Sequence, residues 1–264
     1  MNFKRVFTIF LRQVFLLKRS VHRLVGIFYW SALELFLWGF LTVYLERIGG
    51  AEFGVITAVI GTVILWNFLM RIQQGIAISF LEDVWARNLM NLFGTPLNFK
   101  EYVAGLVLVG VASAVVSGMV MIAVAWFLFS YNLFQFGFLI VPYVLVLFFF
   151  GLALGMYTTA MILRFGPSSE ILAWSIPALI PPFSGVFYSI STLPSWLQTV
   201  AFFLPPSHVF EGMRSVVLSG VFDSSRLFFA GILSVIFFFF AYWLLLRTYR
   251  FVLREGKFTR LQTE

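Results

Sequence analysis

The chain has 264 residues, of which 61% are hydrophobic and only 11% charged, with a formal net charge of +7 and no cysteine. Soluble domains carry roughly 45–50% apolar and about 25% charged residues, so this composition excludes a soluble enzyme domain, a disordered chain and a nucleic-acid-binding module, and leaves a polytopic membrane protein. The missing cysteine removes disulfides, thiolate metal sites and a cysteine nucleophile.

Residues 1–23 are too charged to span a bilayer. Phe3, Val6, Phe7, Phe10, Leu11, Val14 and Leu17 nevertheless recur at helical spacing, with Lys4, Arg5, Arg12, Lys18 and Arg19 largely opposite. This predicts a basic amphipathic helix in the membrane interface. Six apolar segments follow, at about 24–45, 55–80, 102–129, 139–163, 171–190 and 227–246, each near the ~20 residues a spanning helix needs. A polar, basic tail is expected over 247–264, and the whole of 1–264 reads as one transmembrane domain.

Six spans place both termini on one side. That side collects fourteen Lys and Arg, in the two termini and around Arg87, Lys100 and Arg164, against three (Arg47, Arg214, Arg226) on the other. Both termini are therefore expected in the cytoplasm. The same clustering accounts for the net charge without nucleic acid.

Two segments are neither spans nor simple loops. In 79–100, Ser79 and Glu82 have capping-box spacing, Glu82 and Asp83 suit a helix start, and Gly94-Thr95-Pro96 stops the helix. A short amphipathic helix with Leu81, Val84, Trp85, Leu89, Leu92 and Phe93 on one face is expected, facing either lipid or a partner's groove. In 191–226, Pro194, Pro205 and Pro206 divide an apolar stretch into two short helices, with Ser195 and Ser207 as expected N-caps. With Pro177, Pro181 and Pro182 kinking the preceding span, this reads as a re-entrant hairpin on the outer face, either a gate or a structural cap.

No H-E-x-x-H, G-x-S-x-G or G-x-x-x-x-G-K-[ST] pattern occurs, so the chain offers no catalytic constellation and no cradle for ATP phosphates. His22 reads as a solvated flank, and His208 as a hydrogen-bonded loop residue in preference to a metal ligand. Glu34 and Arg71 lie at membrane depth, where ionisable groups face the bundle interior or water. Either they pair, or Arg71 snorkels and Glu34 meets a hydroxyl. Trp66, Asn67, Arg71, Phe183, Phe187 and Tyr188 are candidates for a pathway or gate.

Three stretches carry a resemblance. Gln73-Gln74-Gly75-Ile76-Ala77 through Glu82-Asp83-Val84-Trp85-Ala86-Arg87-Asn88-Leu89 to Thr95-Pro96-Leu97 resembles the first cytoplasmic loop of the type-2 ABC transporter permeases, the type V exporters. Ser184-Gly185-Val186-Phe187-Tyr188 with Leu193-Pro194 resembles the close of their fifth span. Leu204-Pro205-Pro206-Ser207-His208-Val209-Phe210-Glu211-Gly212-Met213-Arg214 resembles their outer motif, with Pro206 where the family often has Leu.

The resemblance implies an all-α permease with six spans, an N-terminal interfacial helix, a cytoplasmic coupling helix and an outer re-entrant hairpin. It implies a dimer of permeases in a bacterial cytoplasmic membrane, each half seating one cytosolic ATP-binding cassette subunit that holds the ATP and Mg2+. Glu82, Asp83, Trp85, Arg87, Asn88 and Leu89 would form the coupling contact. Pro194, Pro205, Pro206, His208, Glu211 and Arg214 would form the outer motif. The cargo would be a hydrophobic or amphipathic compound, such as a drug, a lipid or a lipid-linked saccharide. Rival readings are an ion- or proton-coupled carrier using Glu34 and Arg71, and a membrane subunit without transport of its own.

Overall fold

The computed structural model describes residues 1–49 and 54–256. Gly50 and the tail from Lys257, Arg260 included, lie outside the described residues, as do the side chains of His22 and Arg23. All regular structure among the described residues is helical.

The N-terminal helix α1 (Phe3–Arg19) is capped by Asn2, whose side chain accepts from the Lys4 amide, and it buries Val6, Ile9 and Gln13. Four long helices follow: α2 (Val21–Gly49), α3 (Gly54–Trp85), α5 (Phe99–Phe129) and α6 (Ile140–Phe165), with the short α4 (Leu89–Phe93) between α3 and α5. Four shorter pieces, α7 (Leu172–Ala178), α8 (Pro181–Ser184), α9 (Ser195–Phe202) and α10 (Pro205–Ser219), precede the long terminal α11 (Ser224–Arg254).

Helix α3 is the buried centre of the bundle, contacting α2, α5, α6 and α10. Apolar burial gives little drive between helices in lipid, so close packing has to hold them together. Glycines provide it. The α3 backbone at Gly75 touches the α5 backbone at Gly110, where a Cβ would overlap the opposite chain. On α6, Gly151 and Gly155, one turn apart, admit Ile72 and Ile76 of α3; an added Cβ would lie 3.2 Å and 3.0 Å from their Cβ atoms. Gly105 of α5 seats Ile9 of α1 in the same way, at 2.6 Å.

Helices α6 and α11 run parallel. Phe149 meets Phe238, Phe150 meets Phe237, and Arg164 lies over Phe251, so both sequences advance together along the pair. The end of α11 packs against the start of α5, where Tyr249 stacks on Phe99 at 3.9 Å between centroids. The end of the bundle shared by α1, α4, the start of α5 and the end of α11 carries most of the arginines and is called the basic end here. The opposite end, with α9 and α10, is the far end.

Several expectations need correction. Among the described residues, five helices are long and apolar enough to cross a membrane. The expected span over 171–190 is broken into α7 and α8, because Pro181 and Pro182 lack amide hydrogens and end the helix rather than only kinking it. No helix starts at Ser79. Helix α3 runs through it to Trp85, since Phe80, Leu81 and Val84 are core residues, and burial outweighs the local capping signal. The capping box forms instead at the start of α5, where Asn98 and Glu101 satisfy each other's backbone amides. Neither Ser195 nor Ser207 is an N-cap: Pro194 and Leu204 hold those positions, and Pro205-Pro206 open α10 with φ already set for a helix. Helix α11 continues to Arg254, past the expected end of the last apolar segment.

Candidate functional site

Three constellations gather the predicted residues: a surface at the basic end, a polar cluster inside the bundle, and a clamp at the far end.

At the basic end, α3 stops after Trp85 and the chain turns through Arg87, which adopts φ 53°, before α4 begins at Leu89. The expected single amphipathic helix is thus the last turn of α3 plus α4. Trp85 is 52% exposed and its indole N–H donates to the Glu170 carboxylate at 2.9 Å. This bond ties the end of α3 to the loop after α6. Arg87 is exposed, Glu82 and Asn88 are half-buried, and Leu89 is buried in the core.

Asp83 faces inward and is 1% exposed. Its two oxygens receive both terminal nitrogens of Arg12, one at 3.0 Å, together with the Tyr102 hydroxyl at 2.8 Å and the Gln13 amide at 3.4 Å. The hydrogen bond to Asp83 raises the ionisation of Arg12 above its usual value, against the opposing effect of burial, so the arginine is charged throughout the neutral range. A second tie parallels the first: Glu101 accepts from the Asn2 and Asn98 amides at 2.6 Å and 3.1 Å and pairs with Arg5 at 3.5 Å. Asp83 thus fastens α1 to the bundle, a role the sequence reading did not assign it. The Asn-x-x-Glu spacing of Asn98 and Glu101 was the available signal for the second tie.

Inside the bundle, α2, α3 and α5 contribute one hydrogen-bonded cluster. Asn67 is central. Its amide donates to the Ser31 hydroxyl at 3.0 Å, and its carbonyl accepts from the Ser117 hydroxyl at 2.9 Å. Arg71, one turn further along α3, donates to Ser31 at 2.7 Å and to Gln74 at 3.1 Å. Glu34 of α2 lies beside this cluster, near Asn67 and Arg71. Glu34 and Arg71 form no direct ion pair among the described residues. Arg71 is instead tied to Asn67 through the Ser31 hydroxyl. Arg71 is 8% exposed and its Nε has no partner, so the cluster is not fully satisfied. Ser31 and Ser117 read as ordinary small residues in the sequence; their role comes from the helices that face Asn67.

At the far end, Glu211 and Arg214 of α10 grip the chain after α8. Arg214 donates to the carbonyls of Gly185 and Val186 and pairs with Glu211 at 3.1 Å. Glu211 also accepts from the Ile190 amide at 2.6 Å and the Ser189 hydroxyl at 3.1 Å. Gly185 sits at φ +65°, and a Cβ there would crowd Ile190, Tyr188 and Arg214. His208 hydrogen-bonds the Phe202 carbonyl at 2.7 Å, completing the open end of α9. Pro205 and Pro206 are buried, and Pro194 is exposed.

The aromatic candidates do not form one wall. Trp66 is buried in the core, Phe187 stacks on Trp38 at 3.7 Å between centroids, and the Tyr188 hydroxyl donates to the Pro182 carbonyl at 2.6 Å. Phe183 is half-buried on α8.

No curated protein gives a significant match to the sequence. The ABC-2 type transporter family matches residues 5–218, which takes in α1, the central helix with its polar cluster, and the far-end clamp. The chain belongs to this family and is a multi-pass membrane permease subunit of an ABC transporter.

Proposed function

We propose that this permease is the transmembrane half of an exporter driven by a separate ATP-binding cassette subunit, that two copies form the pathway, and that the basic end faces the cytoplasm. The observation that carries the reading is the exposed Trp85–Glu170 tie at the end of an unbroken α3. From Trp85 to Asn67 the helix runs 18 positions, about 27 Å at 1.5 Å per residue. A push on the Trp85 surface would reach the polar cluster along one rigid rod. Trp85, Arg87 and the face of α4 are the contact surface; Asp83 and Leu89 position it from beneath.

Six crossings fit the geometry. Parallel α6 and α11 require the chain to return between them, and it does so from Glu170, beside Trp85, to Met213, beside Gly61. The α7–α8 pieces begin that return and the Glu211–Arg214 clamp secures its far end. A broken helix can shift its parts without unfolding a continuous one, which suits a gate between copies. Basic residues at the α1 end support a cytoplasmic orientation. Exposed aromatic surfaces, Trp174 and Trp196 among them, suit a hydrophobic or amphipathic cargo.

Co-purification from the native membrane followed by mass spectrometry tests this. A stoichiometric subunit bearing a phosphate-binding loop is expected. Its repeated absence with the fold intact would favour a carrier driven through Glu34 and Arg71.

A further inference from the structure

One recess outside these constellations combines charge with aromatic walls. It has a volume of about 420 Å3, lies between α6 and α11 at the basic end, and is lined by Arg164, Trp243, Leu244, Arg247, Thr248 and Phe251. Both guanidinium groups lie over rings: Arg247 is 5.1 Å from the Trp243 centroid, and Arg164 is 5.9 Å from that of Phe251. No carboxylate lines the recess, and neither arginine has an acidic partner among the described residues. A guanidinium over a ring face still has N–H groups to offer, and its fork matches phosphate oxygens in pairs.

The surface leading away from the recess is apolar. Ile236, Phe240 and Trp243 are all more than half exposed and share one stripe of α11 with Arg247. The stripe covers 11 positions, about 16 Å at 1.5 Å per residue, the reach of much of an acyl chain. A soluble phosphate would use the arginines alone. A lipid would use the whole feature.

We propose that the recess binds an anionic phospholipid, with its phosphate on Arg164 and Arg247 and an acyl chain along Trp243, Phe240 and Ile236. The site requires only that the protein sits in a bilayer, so it stands or falls separately from the exporter reading. Two arginines without an acidic partner among the described residues, near a lipid surface, favour an anionic headgroup over a zwitterionic one.

Native mass spectrometry of the full chain in detergent, titrated with phosphatidylglycerol, phosphatidylcholine or inorganic phosphate, provides the test. One retained phosphatidylglycerol per chain is expected, in preference to phosphatidylcholine. Arg164→Gln with Arg247→Gln should weaken its retention about thirtyfold, equivalent to roughly 1 kcal/mol for each arginine. Arg254→Gln, at the same end but outside the recess, should leave retention unchanged. Undiminished retention in the paired glutamine variant, equal loss in Arg254→Gln, or displacement of the lipid by inorganic phosphate would each overturn the proposal. If the glutamine pair does not fold, Arg164→Lys with Arg247→Lys decides: the fork is lost but the charge stays, so weaker retention supports the site and unchanged retention overturns it.

Discussion

Asp83 and Arg12 are 71 positions apart in sequence, yet the carboxylate of one receives both terminal nitrogens of the other beneath the surface of the basic end. The pair fixes α1 across the ends of α3 and α5, so any force on α1 is delivered to the central helix at the position next to Val84 and Trp85.

Removing one partner should therefore cost more than a surface charge would. Breaking a buried pair costs about 3–5 kcal/mol, and Arg12 is 24% exposed, so the lower end of that range is expected for Arg12→Ala. Thermal unfolding in detergent measures it. Arg12→Leu combined with Asp83→Leu should recover much of the loss, because no uncompensated charge is left behind. Arg12 has a raised ionisation, so its contribution is complete below its unfolded value and declines only as pH climbs through the still higher folded one. Stability from this group should not vary between pH 6 and 8 (roughly the neutral range).

The α3–α5 contact should tolerate no side chain. Gly110→Leu is expected to prevent assembly of the bundle, whereas Gly118→Ala, where an added Cβ meets nothing within 4 Å, should change stability by less than about 0.5 kcal/mol. Yield of monodisperse protein after detergent extraction separates the two. Collapse of both variants, or of neither, would show that the close approach is not what holds the helices.

Within the polar cluster, the Ser31–Asn67 bond should register as coupling between sites. A double-mutant cycle of Ser31→Ala and Asn67→Ala should give about 0.6 kcal/mol and at most about 1.7, the average and maximum measured for hydrogen bonds between membrane helices. Additive effects would place the two side chains apart.

Gly185→Ala should destabilise the far end by about 1–2 kcal/mol, the cost of a left-handed conformation for a residue with a Cβ, with the further crowding of Arg214 and Ile190. Gly220→Ala shares the positive φ but has open space around it, so it should cost less. Thermal unfolding of the two variants gives the comparison.

The long helices were legible because runs of apolar residues report burial in lipid directly. The amphipathic N-terminal helix was legible from its periodicity. The parts misread were those where tertiary contacts override a local signal. Ser79 and Glu82 have the spacing of a helix start, but Phe80, Leu81 and Val84 belong to the core and carry α3 through. Asn98 and Glu101 have the same kind of spacing and do begin a helix, because Pro96 has already ended the preceding one. Gly151 and Gly155 stand at the one-turn spacing that admits a neighbouring helix, a signal present in the sequence and not used. Ser31 and Ser117 could not be singled out at all: nothing local distinguishes a serine facing Asn67 from one facing lipid. Arg71 was recognised as a buried charge, but its bond to Ser31 depends on how α2 rotates against α3.

Coupling at the Trp85–α4 surface is open to one direct measurement. The chain has no cysteine, so Met90→Cys, at a position 45% exposed on α4, gives a single attachment point for a photoactivatable maleimide. Trp196→Cys, 67% exposed at the far end, is the matching control. In purified membranes containing the native complex, illumination should join the Met90→Cys variant to an ATP-binding cassette subunit and leave the Trp196→Cys variant free of it. An adduct formed from the far-end position, or none from α4 while the ATPase co-purifies, would contradict the assignment of this surface.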